Sequence, residues 1–220
     1  MKVIWGGTFD PVHNGHIELA HQLVKSLSLD KLYLMPCYQA VHKDNVAASP
    51  SQRLHMLTLA TQRYPQLCID GREIEKKCVS YTYDSLCDLR QEIGRESLNF
   101  VMGTDSLITF SDWYRAQEMH TLTNIIIIQR PDCSFDTDKK NIVSLTDKKL
   151  DELCSMGFSP IDMPHNLKNY EFGKFIKLEL AQMNISSTHI RSLVKKRKKI
   201  THLVNSDVNH FINMHHLYSK

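Results

Sequence analysis

Short, continuous apolar runs alternate with longer amphipathic stretches along the chain, and this alternation limits it to one broad architecture. Residues 2–5, 32–35, 98–102 and 124–129 are too short for helices and are apolar at nearly every position. Such runs suit strands buried on both faces. The intervening stretches have helical spacing. Residues 11–26 carry Ile17, Leu19, Ala20, Leu23 and Val24, and residues 51–63 carry Leu54, Met56, Leu57 and Leu59. Residues 81–93 form a third helical stretch, ended by Gly94. Further helices are expected over 111–122, 146–154, 186–196 and 208–217, with strands at 67–69 and 175–180. Strand–helix–strand alternation of this kind predicts an α/β, doubly wound, mainly parallel sheet with right-handed crossovers and helices on both faces. In such sheets ligands bind beyond the carboxyl ends of the strands. One domain is expected over 1–220, with a small helical C-terminal portion from about 186.

Composition narrows the class. With 42% hydrophobic and 23% charged residues among 220, the chain can build a core without a disulfide or metal staple. The six cysteines include no pair with the two-residue gap of a zinc knuckle or redox motif, so reduced thiols and a cytoplasmic location are expected. The apolar stretch 3–5 is too short for a signal peptide, and 125–128 is far below a membrane span. The net charge of +3 comes largely from the run Lys195-Lys196-Arg197-Lys198-Lys199. That run is a solvated helix end rather than a nucleic-acid face, because no aromatics are interleaved with it. Neither a nucleic-acid partner nor a membrane is expected.

Two segments carry chemistry. The first, Gly6-Gly7-Thr8-Phe9-Asp10-Pro11-Val12-His13-Asn14-Gly15-His16, follows the first strand and opens the first helix. Its paired glycines allow a turn and a close approach of ligand to backbone. The helix start offers N–H groups and a positive dipole end to an anion. His13 and His16, three apart, share one face of the first turn. Neither the P-loop pattern nor the dinucleotide fingerprint is present. The second segment, Asn184-Ile185-Ser186-Ser187-Thr188-His189-Ile190-Arg191, starts a late helix with hydroxyls and places a guanidinium one turn in. That combination makes a second anion site.

Together these segments resemble the H-x-G-H nucleotidyltransferases, and within them the bacterial nicotinate-nucleotide adenylyltransferase family. The resemblance is reinforced in order by Ser80-Tyr81-Thr82, Gly103-Thr104-Asp105-Ser106-Leu107, Phe110-Ser111-Asp112-Trp113-Tyr114 and Arg130-Pro131. It covers about residues 1 to 200 and is weakest over 132–180. It implies transfer of the adenylyl group of ATP to nicotinate mononucleotide. His13, His16, Lys43 and Arg191 would be the catalytic residues. Gly6, Gly7, Thr8, Phe9, Gly103, Asp105, Ser186 and Ser187 would complete the ATP site. His42, Thr82, Trp113 and Tyr114 would join Lys43 around the pyridine nucleotide, with Trp113 stacked on its ring.

The residue chemistry agrees with what the resemblance implies. A phosphate oxygen is ionised at neutral pH and needs no general base, so catalysis reduces to alignment and charge neutralisation. No protein metal site is expected; Mg²⁺ would arrive on the ATP phosphates. Other acceptors of the superfamily, nicotinamide mononucleotide or phosphopantetheine, remain open from sequence, as does a non-catalytic nucleotide-binding protein.

Overall fold

The computed structural model describes residues 1–39, 46–79, 81–129, 139–181 and 183–219. His42, Lys43, Ser80, Arg130 and Pro131 lie outside these described residues. The elements in chain order are β1 (Lys2–Gly7), α1 (Asn14–Ser26), β2 (Leu32–Pro36), α2 (Pro50–Thr61), β3 (Leu67–Ile69), α3 (Arg72–Lys76), α4 (Thr82–Ile93), β4 (Leu98–Gly103), α5 (Thr104–Ile108), β5 (Asn124–Gln129), α6 (Lys139–Ser155), β6 (Ser159–Pro160), β7 (Lys174–Glu179), α7 (Ser187–Lys195) and α8 (Ser206–Met214). The strands follow the order β3-β2-β1-β4-β5-β7-β6. The described pairings, β1–β4, β4–β5, β5–β7, β6–β7 and β2–β3, are all parallel. Strand order proceeds one way from β1 through β2 and the other way from β4 onward, which is the doubly wound pattern expected from sequence.

Contacts divide the chain into two compact units. One comprises Met1–Trp5, Ser26–Ser28 and Tyr81–Ala181; the other comprises Gly6–Lys25, Leu29–Ser80 and Gln182–Lys220. In the first unit, Ile125 to Ile128 are all at most 1% exposed, so β5 is covered on both faces. Val3, Ile4, Phe100, Val101, Leu86 and Leu89 are buried in the same unit.

A buried polar clasp sets strand register in this unit. Asn99 and Asn124 are partners across β4 and β5, and both are fully buried. Asn124 Nδ2 donates to Asn99 Oδ1 (3.2 Å) and to the Tyr170 carbonyl (2.9 Å), while its Oδ1 accepts from the Lys174 amide (2.9 Å). Asn99 Nδ2 in turn donates to the Lys2 carbonyl (3.2 Å) and to Ser97 Oγ (3.0 Å). A one-residue slip of β5 would break the three bonds that Asn124 makes and turn the strand's side chains to the wrong face. Asn124→Leu keeps the volume but strands an amide and two acceptors in the core. It is expected to cost about 2–3 kcal/mol, read by urea unfolding; a loss below about 0.5 kcal/mol would show that the clasp does not bear on stability.

In the second unit α2 begins with a complete capping box. Ser49 Oγ accepts from the Gln52 amide (3.2 Å), Gln52 Oε1 accepts from the Ser49 amide (2.8 Å), and Pro50 occupies the first helical position. Helix α8 is capped by Asn205, which accepts from the Asp207 amide (2.8 Å), and it packs on α2 with Phe211 4.7 Å from His55. Leu23, Leu32, Leu34, Met56 and Leu57 are buried here.

One expected element takes a different form. Residues 111–122 are not one helix but two 3-10 turns, Phe110–Asp112 and Ala116–Thr121. Between them Trp113 is extended (φ −72°, ψ 149°) and Arg115 is left-handed (φ 53°). Phe110, Ala116 and Met119 are buried at spacings that are multiples of three, the period of a 3-10 turn rather than the 3.6 of an α-helix. Helices α3 and α5 and strand β6 were not anticipated; each has five residues or fewer, too short to show a period.

Candidate active site

In the second unit, β1 runs out at Gly7, and Phe9 folds back over it with φ +50°. A Cβ on Gly7 would lie 2.9 Å from the Phe9 ring, so glycine is required there by close approach. The loop then delivers His13 and His16 to the start of α1.

The two histidines cap that helix reciprocally. His13 Nδ1 accepts from the His16 amide (3.3 Å), and His16 Nδ1 accepts from the His13 amide (3.2 Å). This is a capping box made with imidazoles in place of a hydroxyl and a carboxylate. The rings stack at 3.6 Å between centroids and 24° between planes. A Cβ on Gly15 would come within 3.1 Å of His13 Nδ1, so the glycine between the histidines makes room for the first ring. An Nδ1 that accepts carries no proton, so each neutral ring has its proton on Nε2. The H-x-G-H segment thereby builds two fixed Nε2–H donors.

Three of the amides at this helix start have partners within the fold. The Asn14 amide donates to the Leu203 carbonyl (2.9 Å), and the His13 and His16 amides are taken by the imidazoles.

The structure brings the second motif to the first within this unit. Ser186 caps α7 by accepting from the His189 amide (3.1 Å). Ser187 Oγ donates to the Pro11 carbonyl (2.9 Å), and Arg191 Nη1 donates to the Asp10 carbonyl (2.7 Å). Arg191 Nη2 also donates to Thr188 Oγ1 (3.3 Å). Ser186 thus keeps a hydroxyl proton to donate, whereas the proton of Ser187 is committed to Pro11.

Three residues missed by sequence reasoning support this cluster. Arg53 is wholly buried; Nη1 donates to the Thr8 carbonyl (2.8 Å), and Nη2 to the carbonyls of Cys37 (2.6 Å) and Tyr38 (2.8 Å). Asp10, 3% exposed, accepts from the amides of Ala47 (2.9 Å) and Ala48 (3.2 Å) and from the Tyr218 hydroxyl (2.7 Å). A signal for Arg53 existed, since it lies three and four residues before Met56 and Leu57 on the buried face of α2. No local signal marks Tyr218.

The first unit holds the other candidates. Gly103 ends β4 with φ −81° and starts α5, and a Cβ there would meet no atom within 4 Å. The fold itself therefore imposes no glycine at this position. Asp105 is exposed in the first turn of α5. Trp113 is half-buried against Phe110 (5.5 Å) and Phe100 (6.2 Å). Tyr114, 46% exposed, lies 4.6 Å from Tyr81 and 6.1 Å, edge-on, from Tyr83, so it meets the start of α4, where Thr82 stands. Burial, with the Cys87 thiol beside it, pushes the Tyr83 phenol up to about 12. The Arg115 guanidinium covers the Tyr83 ring at 4.1 Å and pairs with Glu118. Among the described residues no three His, Cys, Asp or Glu side chains are grouped as metal ligands would be.

A parallel doubly wound sheet with an imidazole-capped first helix defines a nucleotidyltransferase scaffold, and comparison with known proteins agrees. The family model for cytidylyltransferase-like proteins matches residues 4–193, and the chain belongs to that family. It is 35% identical over 216 residues to the "Probable nicotinate-nucleotide adenylyltransferase" of Marinomonas sp. (strain MWYL1), covering 98% of this chain and 93% of the relative. It is 36% identical over 216 residues to the protein of the same name from Cellvibrio japonicus (strain Ueda107), with 98% and 97% covered. The Plasmodium falciparum nicotinic acid mononucleotide adenylyltransferase complexed with NaAD shares the fold, with a TM-score of 0.70 at 17% identity over 99% of this chain and 98% of that one.

Proposed function

We propose that the chain transfers the adenylyl group of ATP to nicotinate mononucleotide, giving nicotinate adenine dinucleotide and pyrophosphate. The observation that carries this reading is the imidazole capping box joined to Arg191 and the start of α7, a set of fixed donors without a nucleophile or general base. The names of the full-length relatives point to the same reaction.

In the proposed step an ionised phosphate oxygen of the acceptor attacks the α-phosphorus of ATP. The bond from that phosphorus to the α–β bridging oxygen breaks, and pyrophosphate leaves with the electron pair. His13 and His16 donate through Nε2–H to the triphosphate and neutralise charge as it moves to the leaving group. Arg191 and Ser186 hold the departing pyrophosphate; Ser187 fixes α7 against Pro11. Gly6, Gly7, Thr8 and Phe9 shape the turn on which the phosphates lie, and Gly103 and Asp105 take the adenosine ribose. Trp113 stacks on the pyridine, and the backbone near Thr82 and Tyr114 receives its carboxylate. His42 and Lys43, which lie outside the described residues, are assigned to the phosphates by the family resemblance alone. Mg²⁺ enters as part of the substrate, since it keeps water and phosphate oxygens as ligands. Among the described residues no helix is long and apolar enough to cross a membrane. The described cysteines are free thiols, which supports a reducing, cytoplasmic setting.

The test is dinucleotide formation with ATP and Mg²⁺, run with nicotinate mononucleotide, nicotinamide mononucleotide and phosphopantetheine in parallel. The expected result is turnover that prefers nicotinate mononucleotide by about tenfold or more, because paired N–H donors favour the carboxylate over the neutral amide. No dinucleotide with either pyridine nucleotide would overturn the assignment.

A further inference from the structure

The Asp10 carboxylate is the least explained charge in the second unit. It is almost wholly buried, yet it belongs to the loop that delivers the two histidines. A buried carboxylate is stable only if its oxygens are well supplied with donors. Oδ2 receives the Ala47 amide (2.9 Å), and the Arg191 Nη1 stands 3.9 Å away. Oδ1 receives the Ala48 amide at 3.2 Å and the Tyr218 hydroxyl at 2.7 Å. The phenol is thus the shortest donor to the carboxylate.

The chain goes to some length to place it. Tyr218 adopts φ +63° and His216 φ +49°, the left-handed region that disfavours side chains other than glycine. The preceding turns are held by bonds from the His216 amide to the Asn213 carbonyl (3.2 Å) and from the Leu217 amide to the Ile212 carbonyl (3.0 Å). Burial first, and the Asp10 charge second, hold the phenol far above its ordinary pKa, so it remains a donor.

We propose that Tyr218 is a positioning residue for the phosphate-binding side chains, acting through Asp10 on Arg191. Arg191 Nη1 is shared between the Asp10 carbonyl, to which it donates, and the Asp10 carboxylate 3.9 Å away. While Tyr218 offsets the carboxylate, the guanidinium keeps its bond to the carbonyl and its remaining donors face an anion. Without the hydroxyl, the under-compensated carboxylate draws Arg191 inward and away from phosphate. The inference rests on the adenylyl-transfer reading for its choice of ligand, but not on the identity of the acceptor.

The experiment uses the full chain with Tyr218→Phe, Asp10→Asn and the double variant. Calorimetry gives the Kd for MgATP, and steady-state kinetics separate kcat from the KM of the acceptor. Tyr218→Phe is expected to weaken ATP about five- to tenfold and lower kcat about tenfold, with the acceptor KM within twofold. In the Asp10→Asn background the same change is expected to add no more than twofold, because a neutral amide leaves no charge to offset. Ser219→Ala, whose hydroxyl donates to the His216 carbonyl, is the control and should behave as wild type. A purely structural tyrosine would lower the unfolding midpoint and leave ATP affinity and kcat unchanged, which overturns the proposal; so do single-variant losses that multiply in the double variant. If Tyr218→Phe alone does not fold, the comparison of Asp10→Asn with the double variant carries the same test. A wild-type chain that binds ATP but makes no dinucleotide, with Tyr218→Phe weakening ATP, sinks the acceptor assignment and leaves this inference standing. Unchanged ATP affinity and dinucleotide synthesis by Tyr218→Phe do the reverse. A wild-type chain that binds no ATP overturns both.

Discussion

His16→Ala is expected to lower kcat for adenylyl transfer by about 10²–10³, the usual consequence of removing one preorganised donor aimed at developing charge. The reason lies in the double use of the ring. Its Nδ1 caps α1 by accepting the His13 amide, and that bond fixes the proton on Nε2, where a phosphate oxygen can receive it. Alanine removes the donor, the cap and the stacking partner of His13 together. The cap by itself is worth about 1 kcal/mol of stability. His16→Gln separates the two roles, because its carbonyl can restore the cap while its amide donates weakly. Glutamine should therefore recover the unfolding midpoint but only part of kcat. Steady-state kinetics beside urea unfolding make the measurement. A value of kcat/KM within fivefold of wild type for His16→Ala would remove the imidazole from the chemistry.

The second large effect is on stability. Arg53→Ala is expected to lower the unfolding free energy by about 3–5 kcal/mol. The guanidinium is 0% exposed and supplies donors to three backbone carbonyls, those of Thr8, Cys37 and Tyr38. Its loss leaves those half-buried oxygens without these partners, at about 1 kcal/mol each, and removes a wholly buried side chain from under α2. Its Nε has no acceptor among the described residues, so the side chain is held by its two terminal nitrogens alone. Arg53→Lys should recover only a small part, since one ammonium cannot reproduce a planar fork serving three acceptors. A loss below about 1 kcal/mol in urea unfolding would mean that the carbonyls find other donors.

What the sequence disclosed follows from the range over which each interaction acts. The four buried isoleucines of β5 announce a two-sided strand, because burial on both faces is written in consecutive residues. The glycine–histidine segment was legible for the same local reason: a strand end, a turn and a helix start are adjacent in the chain. The break at Trp113 and Arg115 was not legible. The buried residues of 110–119 recur at multiples of three, which one sequence can satisfy as a helix or as successive 3-10 turns, and the Phe100 ring on β4 that meets the indole is distant in the chain. The donors at α1 were half legible: the helix start was clear, but the Leu203 carbonyl that takes the Asn14 amide comes from the far end of the chain. Tyr218 and Asp10 are 208 residues apart, and nothing beside either residue points to the other.

The buried asparagine pair carries a consequence for how such a chain can change over generations. Asn99 and Asn124 sit at the amino ends of β4 and β5, whereas Gly103 is the last residue of β4, about 13 Å further along the strand, and Asp105 stands just beyond it. Strand alignment is thereby decided at the rim opposite the proposed ribose contacts. Insertions, exchanges and point changes after the strands can accumulate without re-pairing the sheet. Changes confined to the carboxyl-end rim leave the Asn99–Asn124 bond, and with it the pairing of β4 with β5, untouched.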